Sequence, residues 1–98
     1  MIHDFFLGFI KIHILYHAIK QPVYGLWLIE ELGRHGYKLS PGTLYPILHS
    51  LEKEKYLKSY KKLVEGKIRK YYRTTAKGKK AFIEVKEKIK ELIKEVMV

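Results

Sequence analysis

Apolar residues crowd the first twenty positions. Phe5, Phe6, Phe9, Ile10, Ile12, Ile14, Leu15, Ala18 and Ile19 cover most of the circumference of a helix running from about His3 to Lys20. Apolarity all round a helix predicts burial on several sides. Gln21-Pro22 ends it, because proline has no amide to donate and pushes the residue before it out of helical geometry. From about Tyr24 to Arg34 the apolar set narrows to one stripe, Leu28, Ile29 and Leu32. Glu30 and Glu31 face solvent, and Gly36 supplies the turn residue beyond the end. Ser40-Pro41 has the form of an N-cap with proline at the first helical position. It opens a third helix that runs to about Lys55 and buries Leu44, Ile47, Leu48 and Leu51. Pro46, at its sixth position, either bends this helix or moves its start a few residues on.

The period then changes. Leu57 to Val64 and Lys67 to Thr74 are β-branched, aromatic and basic, and join across Glu65-Gly66 as a β-hairpin. Glutamate is unusual where a type I′ turn demands positive φ, so that turn and a three-residue loop with Gly66 left-handed fit equally well. Tyr71 and Tyr72 alternate faces of the second strand, and the pattern does not say which of them points inward, or whether twist lets both pack. Thr75 caps a last helix reaching almost to Val98. In it Phe82, Val85, Ile89, Leu92 and Val96 recur at spacings of three and four, a coiled-coil seam. The seam could pack against the first helix of the same chain, but a terminal helix on a domain this small has little of its own chain to cover it, so a dimer interface is favoured for these five residues. The order helix, helix, helix, hairpin, helix is mainly α with a β-hairpin. It predicts a winged helix-turn-helix with an N-terminal helix over 1–75 and a C-terminal dimerisation helix over 76–98.

Charge sharpens this reading. The 98 residues carry a formal net charge of +10. The whole excess lies between Lys53 and Lys80, where twelve basic residues meet only Glu54 and Glu65. Heat-adapted surfaces mix both signs, as the last helix does from Glu84 to Lys94, so an unmixed segment points instead to a polyanion, whose counterions are released on binding. The lack of Asn and the single Gln, beside abundant Lys, Glu and Ile, resemble the bias of thermophilic proteins.

Composition also excludes. There is no cysteine, hence no disulfide framework and no thiolate chemistry, and a reducing cytoplasm is the default. Asp4 stands where a signal peptide would be basic, and no small-residue cleavage site follows. Lys11, His3, His13 and His17 interrupt a membrane span, so the first helix is read as buried and no membrane contact is expected. With one aspartate, no serine, histidine and carboxylate cluster and no glycine-rich phosphate loop, the chain is not read as an enzyme, and no cofactor is expected.

The run Tyr24-Gly25-Leu26-Trp27-Leu28-Ile29-Glu30-Glu31-Leu32, then Leu39-Ser40-Pro41-Gly42-Thr43-Leu44-Tyr45-Pro46-Ile47-Leu48, Arg69-Lys70-Tyr71-Tyr72-Arg73 and Thr75-Ala76-Lys77-Gly78 resembles the PadR family of transcriptional regulators. The resemblance covers roughly Leu7 to Gly78, and the single C-terminal helix is similar to the small subfamily. It implies a homodimer that sets the third helix of each subunit in the major groove of double-stranded DNA and the wing along the backbone, usually repressing transcription. The chain departs from the family where Lys55-Tyr56 stands in place of a common glycine, where Thr74 replaces leucine, and where His13, Tyr16 and His17 make the first helix more polar.

Physical chemistry supports these roles separately. Ser40, Gly42 and Thr43 sit at a helix N-terminus, where amides and small hydroxyls approach a phosphate or base edge. Tyr45 and His49 follow along the same helix, and Lys61, Lys62, Lys67, Arg69 and Lys70 would hold phosphates from the wing. The rival reading is a basic protein that coats nucleic acid or binds RNA without sequence preference, and a third is a ligand-sensing adaptor. The resemblance also implies a small aromatic effector, which small members of the family hold with tryptophan; Trp27, Tyr16 and His13 are the candidates here, against the plainer reading of Trp27 as core. His13 and His17 have the four-residue spacing of two metal ligands, but no third carboxylate or cysteine ligand accompanies them locally, so no metal site is expected.

Overall fold

The computed structural model describes residues 1–97, so Val98, the last residue of the expected C-terminal segment, lies outside the described residues. Seven elements follow in order: α1 (Ile2–Lys20), β1 (Val23–Tyr24), α2 (Gly25–Arg34), α3 (Pro41–Lys53), β2 (Leu57–Val64), β3 (Lys67–Thr74) and α4 (Ala76–Val96). Three inward stripes meet in one core, with Ile10, Ile14, Leu15 and Ala18 from α1, Leu28 and Leu32 from α2, and Leu44, Ile47, Leu48 and Leu51 from α3. Val23, Leu57 and Tyr72 close it from the sheet. Each fully buried aliphatic side chain contributes roughly 2 kcal/mol through apolar area removed from water, which is why the stripe positions dictate how the helices dock.

The sequence reading missed β1. Val23 and Tyr24 lie antiparallel to Tyr72 and Tyr71, giving a three-stranded sheet of order β1-β3-β2, and α2 begins one residue later than expected, at Gly25. Two residues carry no period to read; pairing with an existing hairpin edge makes them a strand.

Two helix ends share one hydrogen-bonding pattern but not one residue type. After α2, Tyr37 donates to the Leu32 carbonyl and Gly36 to that of Gly33, with Gly36 at φ 90°. After α3, Tyr56 donates to Leu51 and Lys55 to Glu52, with Lys55 at φ 67°. Both are Schellman closures, which place their first non-helical residue in the left-handed region. Lys55 takes that conformation at a cost of about 1–2 kcal/mol that glycine would avoid. The third helix therefore stops at Lys53 rather than Lys55. Pro46 remains inside it without moving its start, and Ser40 caps it by accepting from the Thr43 amide at 3.3 Å.

The hairpin register pairs Val64 with Lys67, leaving a two-residue loop in which Glu65 (φ 50°) and Gly66 (φ 79°) both have positive φ, as a type I′ turn requires. Tyr72 is the inward tyrosine, 3% exposed, while Tyr71 stacks on Tyr60 with ring centroids 5.6 Å apart. Thr74, in place of the family's leucine, donates from its hydroxyl to the Leu15 carbonyl at 2.9 Å and ties β3 to α1.

Burial of α1 on several sides does not occur within one chain. Phe5, Phe6 and Phe9 are about half exposed, and only one face of α1 meets the core. The helix is long and apolar enough to cross a bilayer by length and composition alone. On α4, Phe82 reaches Tyr16 at 5.9 Å and Val85 borders a cavity with Ile12 and Leu15. The first two seam residues are thus half-covered by the chain's own α1. Leu92 and Val96 further along remain exposed.

Candidate nucleic-acid interface

The buried stripe of α3 decides what its opposite face presents. Gly42, Tyr45 and His49, spaced by three and four, share the exposed side of the helix. Thr43 sits around the helix from them and borders a cavity with Phe6 and Tyr37. Ser40 is engaged as the cap, its hydroxyl 3.3 Å from that of Thr43. Pro41 has no amide and the Thr43 amide is taken by Ser40, so the Gly42 amide is the first-turn donor left for an anion.

Tyr45 crosses to the start of α2, its ring lying close against Gly25 at a point where a Cβ would collide with it. Across a groove of about 220 Å³, Tyr45, Gly25 and Tyr24 face Lys67, Arg69 and Lys70 of β3. Arg69 is held there by the Tyr24 ring, its guanidinium carbon 4.1 Å from the centroid. That makes β1 part of the site, since pairing with β3 puts Tyr24 beside Tyr71 at 5.5 Å and under Arg69. The structure therefore brings Tyr45, Lys67, Arg69 and Lys70 together, and leaves Lys61 and Lys62 farther out on β2. Sequence reasoning missed Tyr24 as a positioning residue; its place in the quoted motif was the one available signal.

The hairpin register stacks like charges, Lys61 opposite Lys70 and Lys62 opposite Arg69. Facing like charges destabilise a ladder, and an anion bound across them removes the penalty. Among the described residues, Lys70 is the only one of the five wing cations with a carboxylate within 4 Å, Glu52 at 3.6 Å, which also accepts from the Ser59 hydroxyl. The wing thus presents cations that the fold itself leaves largely unneutralised. Burial pushes the Tyr72 hydroxyl above its usual pKa, so it stays a neutral anchor under the wing.

A second cavity, about 440 Å³, opens between α1, α2 and α4. It is lined by Ile12, His13, Tyr16, His17, Glu31, His35 and Phe82. Two of the three residues assigned to an effector, Tyr16 and His13, line it; Trp27 stands behind, its ring 5.3 Å from that of His17. His35, at the end of α2, comes to 4.6 Å ring to ring from His13, a third histidine absent from the local spacing. Burial, reinforced by His35, holds His13 below the usual histidine pKa. For His17 burial again acts downward, and Glu31 opposes it.

A recognition helix beside a three-stranded wing, with cations on the wing and an amphipathic terminal helix, defines a winged helix-turn-helix regulator that binds DNA. Comparison with known proteins supplies the family. Residues 14–84 match the Transcriptional regulator PadR-like family, and the chain belongs to it. It is 47% identical over 88 residues to the transcriptional regulator Rv3488 of Mycobacterium tuberculosis, covering 90% of this chain and 82% of that one. Among solved structures, a PadR family transcriptional regulator from Eggerthella lenta is similar with a TM-score of 0.82 and 32% identity, over 98% of this chain and 85% of the other. A PadR-like transcriptional regulator from Bacillus cereus also has a TM-score of 0.82, with 34% identity over 91% and 88%. The family and these relatives are transcriptional regulators, not enzymes.

Proposed function

We propose that this regulator is a cytoplasmic repressor of a heat-adapted organism that reads a two-fold symmetric operator as a homodimer. Residues 1–75 carry the DNA-binding part, and the C-terminal segment 76–98 dimerises through α4. The observation that carries the reading is the groove at which the exposed face of α3 meets the wing, with Tyr45 on one wall and Lys67, Arg69 and Lys70 on the other. Gly42, Thr43, Tyr45 and His49 would meet base edges or the nearest phosphate, with Ser40 closing the helix start. Lys61, Lys62, Lys67, Arg69 and Lys70 would hold the backbone.

Selection from a random duplex library, followed by titration at two salt concentrations, tests this. A symmetric site should emerge, bound at least about a thousandfold above scrambled duplex. Tyr45→Ala or Thr43→Ala should erode that ratio. Lys61→Ala or Arg69→Ala should weaken every duplex alike and flatten the salt slope by about 0.9 per lost phosphate contact. If nothing is enriched and only steep salt dependence remains, the chain is a coating or RNA-binding protein and the operator reading is wrong.

The cavity between α1, α2 and α4 suits a flat aromatic effector. It is apolar at Ile12 and Phe82, carries polar groups at Tyr16 and His13, and adjoins the α4 seam. An effector seated there would shift α4 against α1 and so change the spacing of the two recognition helices. Trp27, in edge contact with His17, reports on occupancy. Unchanged tryptophan fluorescence and operator affinity across phenolic and cationic aromatic compounds would remove the effector from the proposal.

A further inference from the structure

Helices α1 and α2 each contribute a pair of side chains four residues apart to one spot. From α1 come His13 and His17; from α2 and its C-cap come Glu31 and His35. One donor nitrogen from each of the three imidazoles lies within 4.8 Å of the other two. Tetrahedral zinc, with Zn–N of about 2.0–2.1 Å, needs its nitrogens roughly 3.3 Å apart, a contraction that small rotations about the side-chain torsions supply. Glu31 Oε2 is 3.2 Å from His35 Nε2 and 3.6 Å from His17 Nε2, on the edge of the same cluster. Its other oxygen is held by Arg34 at 3.2 Å, which turns Oε2 toward the histidines.

His17 Nε2 is the atom that singles this cluster out. It is buried with no hydrogen-bond partner among the described residues, and Glu31 at 3.6 Å lies just beyond reach. A polar nitrogen removed from water and left unpaired is costly, and most are satisfied by protein, water or an ion. The cations nearby are engaged elsewhere, Lys20 over the Tyr16 ring at 5.1 Å and Arg34 on Glu31. Three imidazoles with one carboxylate are the donor set of borderline transition metals, whereas magnesium and calcium favour all-oxygen shells.

We infer that His13, His17 and His35, with Glu31 as fourth ligand or as the base that orients them, form a binding site for a divalent transition-metal ion of the zinc class, clamping α1 to α2. Facing helices of a bundle build metal centres from side chains that project into the same gap, and two ligands four residues apart share one helix face. The cavity opens toward Phe82 of α4, so an ion here sets the α1–α2 packing on which the seam helix leans. The site shares its cavity and His13 with the effector reading, but its test is independent of that reading and of the operator, because metal uptake is measured without DNA or organic ligand.

The test uses the full chain, freed of any tag and washed with chelator. Cobalt(II) serves as a visible-absorption probe and zinc is followed by calorimetry. One ion per chain is expected, with tetrahedral cobalt bands that zinc abolishes, no response to magnesium, and a melting point raised by zinc. His17→Ala should weaken uptake about a hundredfold or more, since even partners outside the coordination shell are worth about 10–100-fold. His35→Gln should do the same at an exposed helix end where the fold, checked by circular dichroism, tolerates the change. His3→Ala, outside the cluster, should leave uptake unaltered. No saturable uptake, wild-type affinity in His35→Gln, or an equal loss in His3→Ala would each overturn the site.

Discussion

Replacing Gly78 with alanine is expected to destabilise the protein by about 2–3 kcal/mol and lower its melting point by roughly 10–20 °C. Helix propensity alone argues the opposite. Gly78 lies in the first turn of α4, and alanine is better than glycine by about 1 kcal/mol in a helix interior. Packing overrides that preference. A Cβ at position 78 would sit inside the van der Waals envelope of the Tyr56 carbonyl oxygen and close against the methyl of Thr74. That oxygen cannot retreat cheaply, because it accepts from the Thr75 amide at 3.0 Å and from the Thr75 hydroxyl at 3.3 Å. The same hydroxyl caps α4 by accepting from the Gly78 amide at 3.0 Å. The junction of wing and seam helix is thus one interlocked turn, and overpacking it strains the cap, β2 and β3 together. Thermal melts by circular dichroism decide the matter, and a melting point at or above that of the parent would refute the packing argument.

The second large effect concerns association. Changing Leu92 and Val96 together to aspartate should yield a monomer of normal fold whose affinity for the selected operator is about 10²–10⁴-fold lower. Without the link, the second half-site no longer gains from effective concentration. The fold should survive because these side chains touch little of their own chain, being 57% and 62% exposed. The same exposure is the argument for a partner. α4 spans about 31 Å at 1.5 Å per residue, yet α1 covers only its first turns, and Phe5, Phe6 and Phe9 add apolar surface on α1. Charges beside the seam alternate in sign, with Lys88 paired to Glu91 at 3.4 Å and Lys90 to Glu87 at 3.6 Å, which suits a second copy of the chain better than a polyanion. Sedimentation compared with operator titration tests this; a double variant that stays dimeric would move the interface elsewhere.

Legibility followed periodicity. The stripes Leu28 and Leu32 on α2, and Leu44, Ile47, Leu48 and Leu51 on α3, are buried as their spacing predicts, since a period near 3.6 names both the element and its inward face. Caps at Ser40 and Thr75 were equally readable, because the chemistry of a helix start is local. Where local rules were silent or bent, the chain was opaque. Glu65 and Lys55 adopt left-handed backbone against their own preference, Glu65 because the hairpin register imposes a two-residue turn and Lys55 because the chain must leave α3 directly into β2. The breadth of apolar residues on α1 suggested burial all round, yet one chain covers a single face.

By itself the sequence determined the order of the four helices and the hairpin, the inward faces of α2 and α3, the concentration of positive charge on the wing and, through its motif, the family. These depend on residues near one another along the chain. Tertiary structure alone decided that Tyr24 would hold Arg69, that Tyr72 rather than Tyr71 would enter the core, and that His35 and Glu31 would join His13 and His17. Each of those outcomes depends on elements that share no spacing along the chain. It arises only when hydrophobic burial sets α1 against α2 and the sheet, and so carries polar side chains at the edges of those faces to a common point.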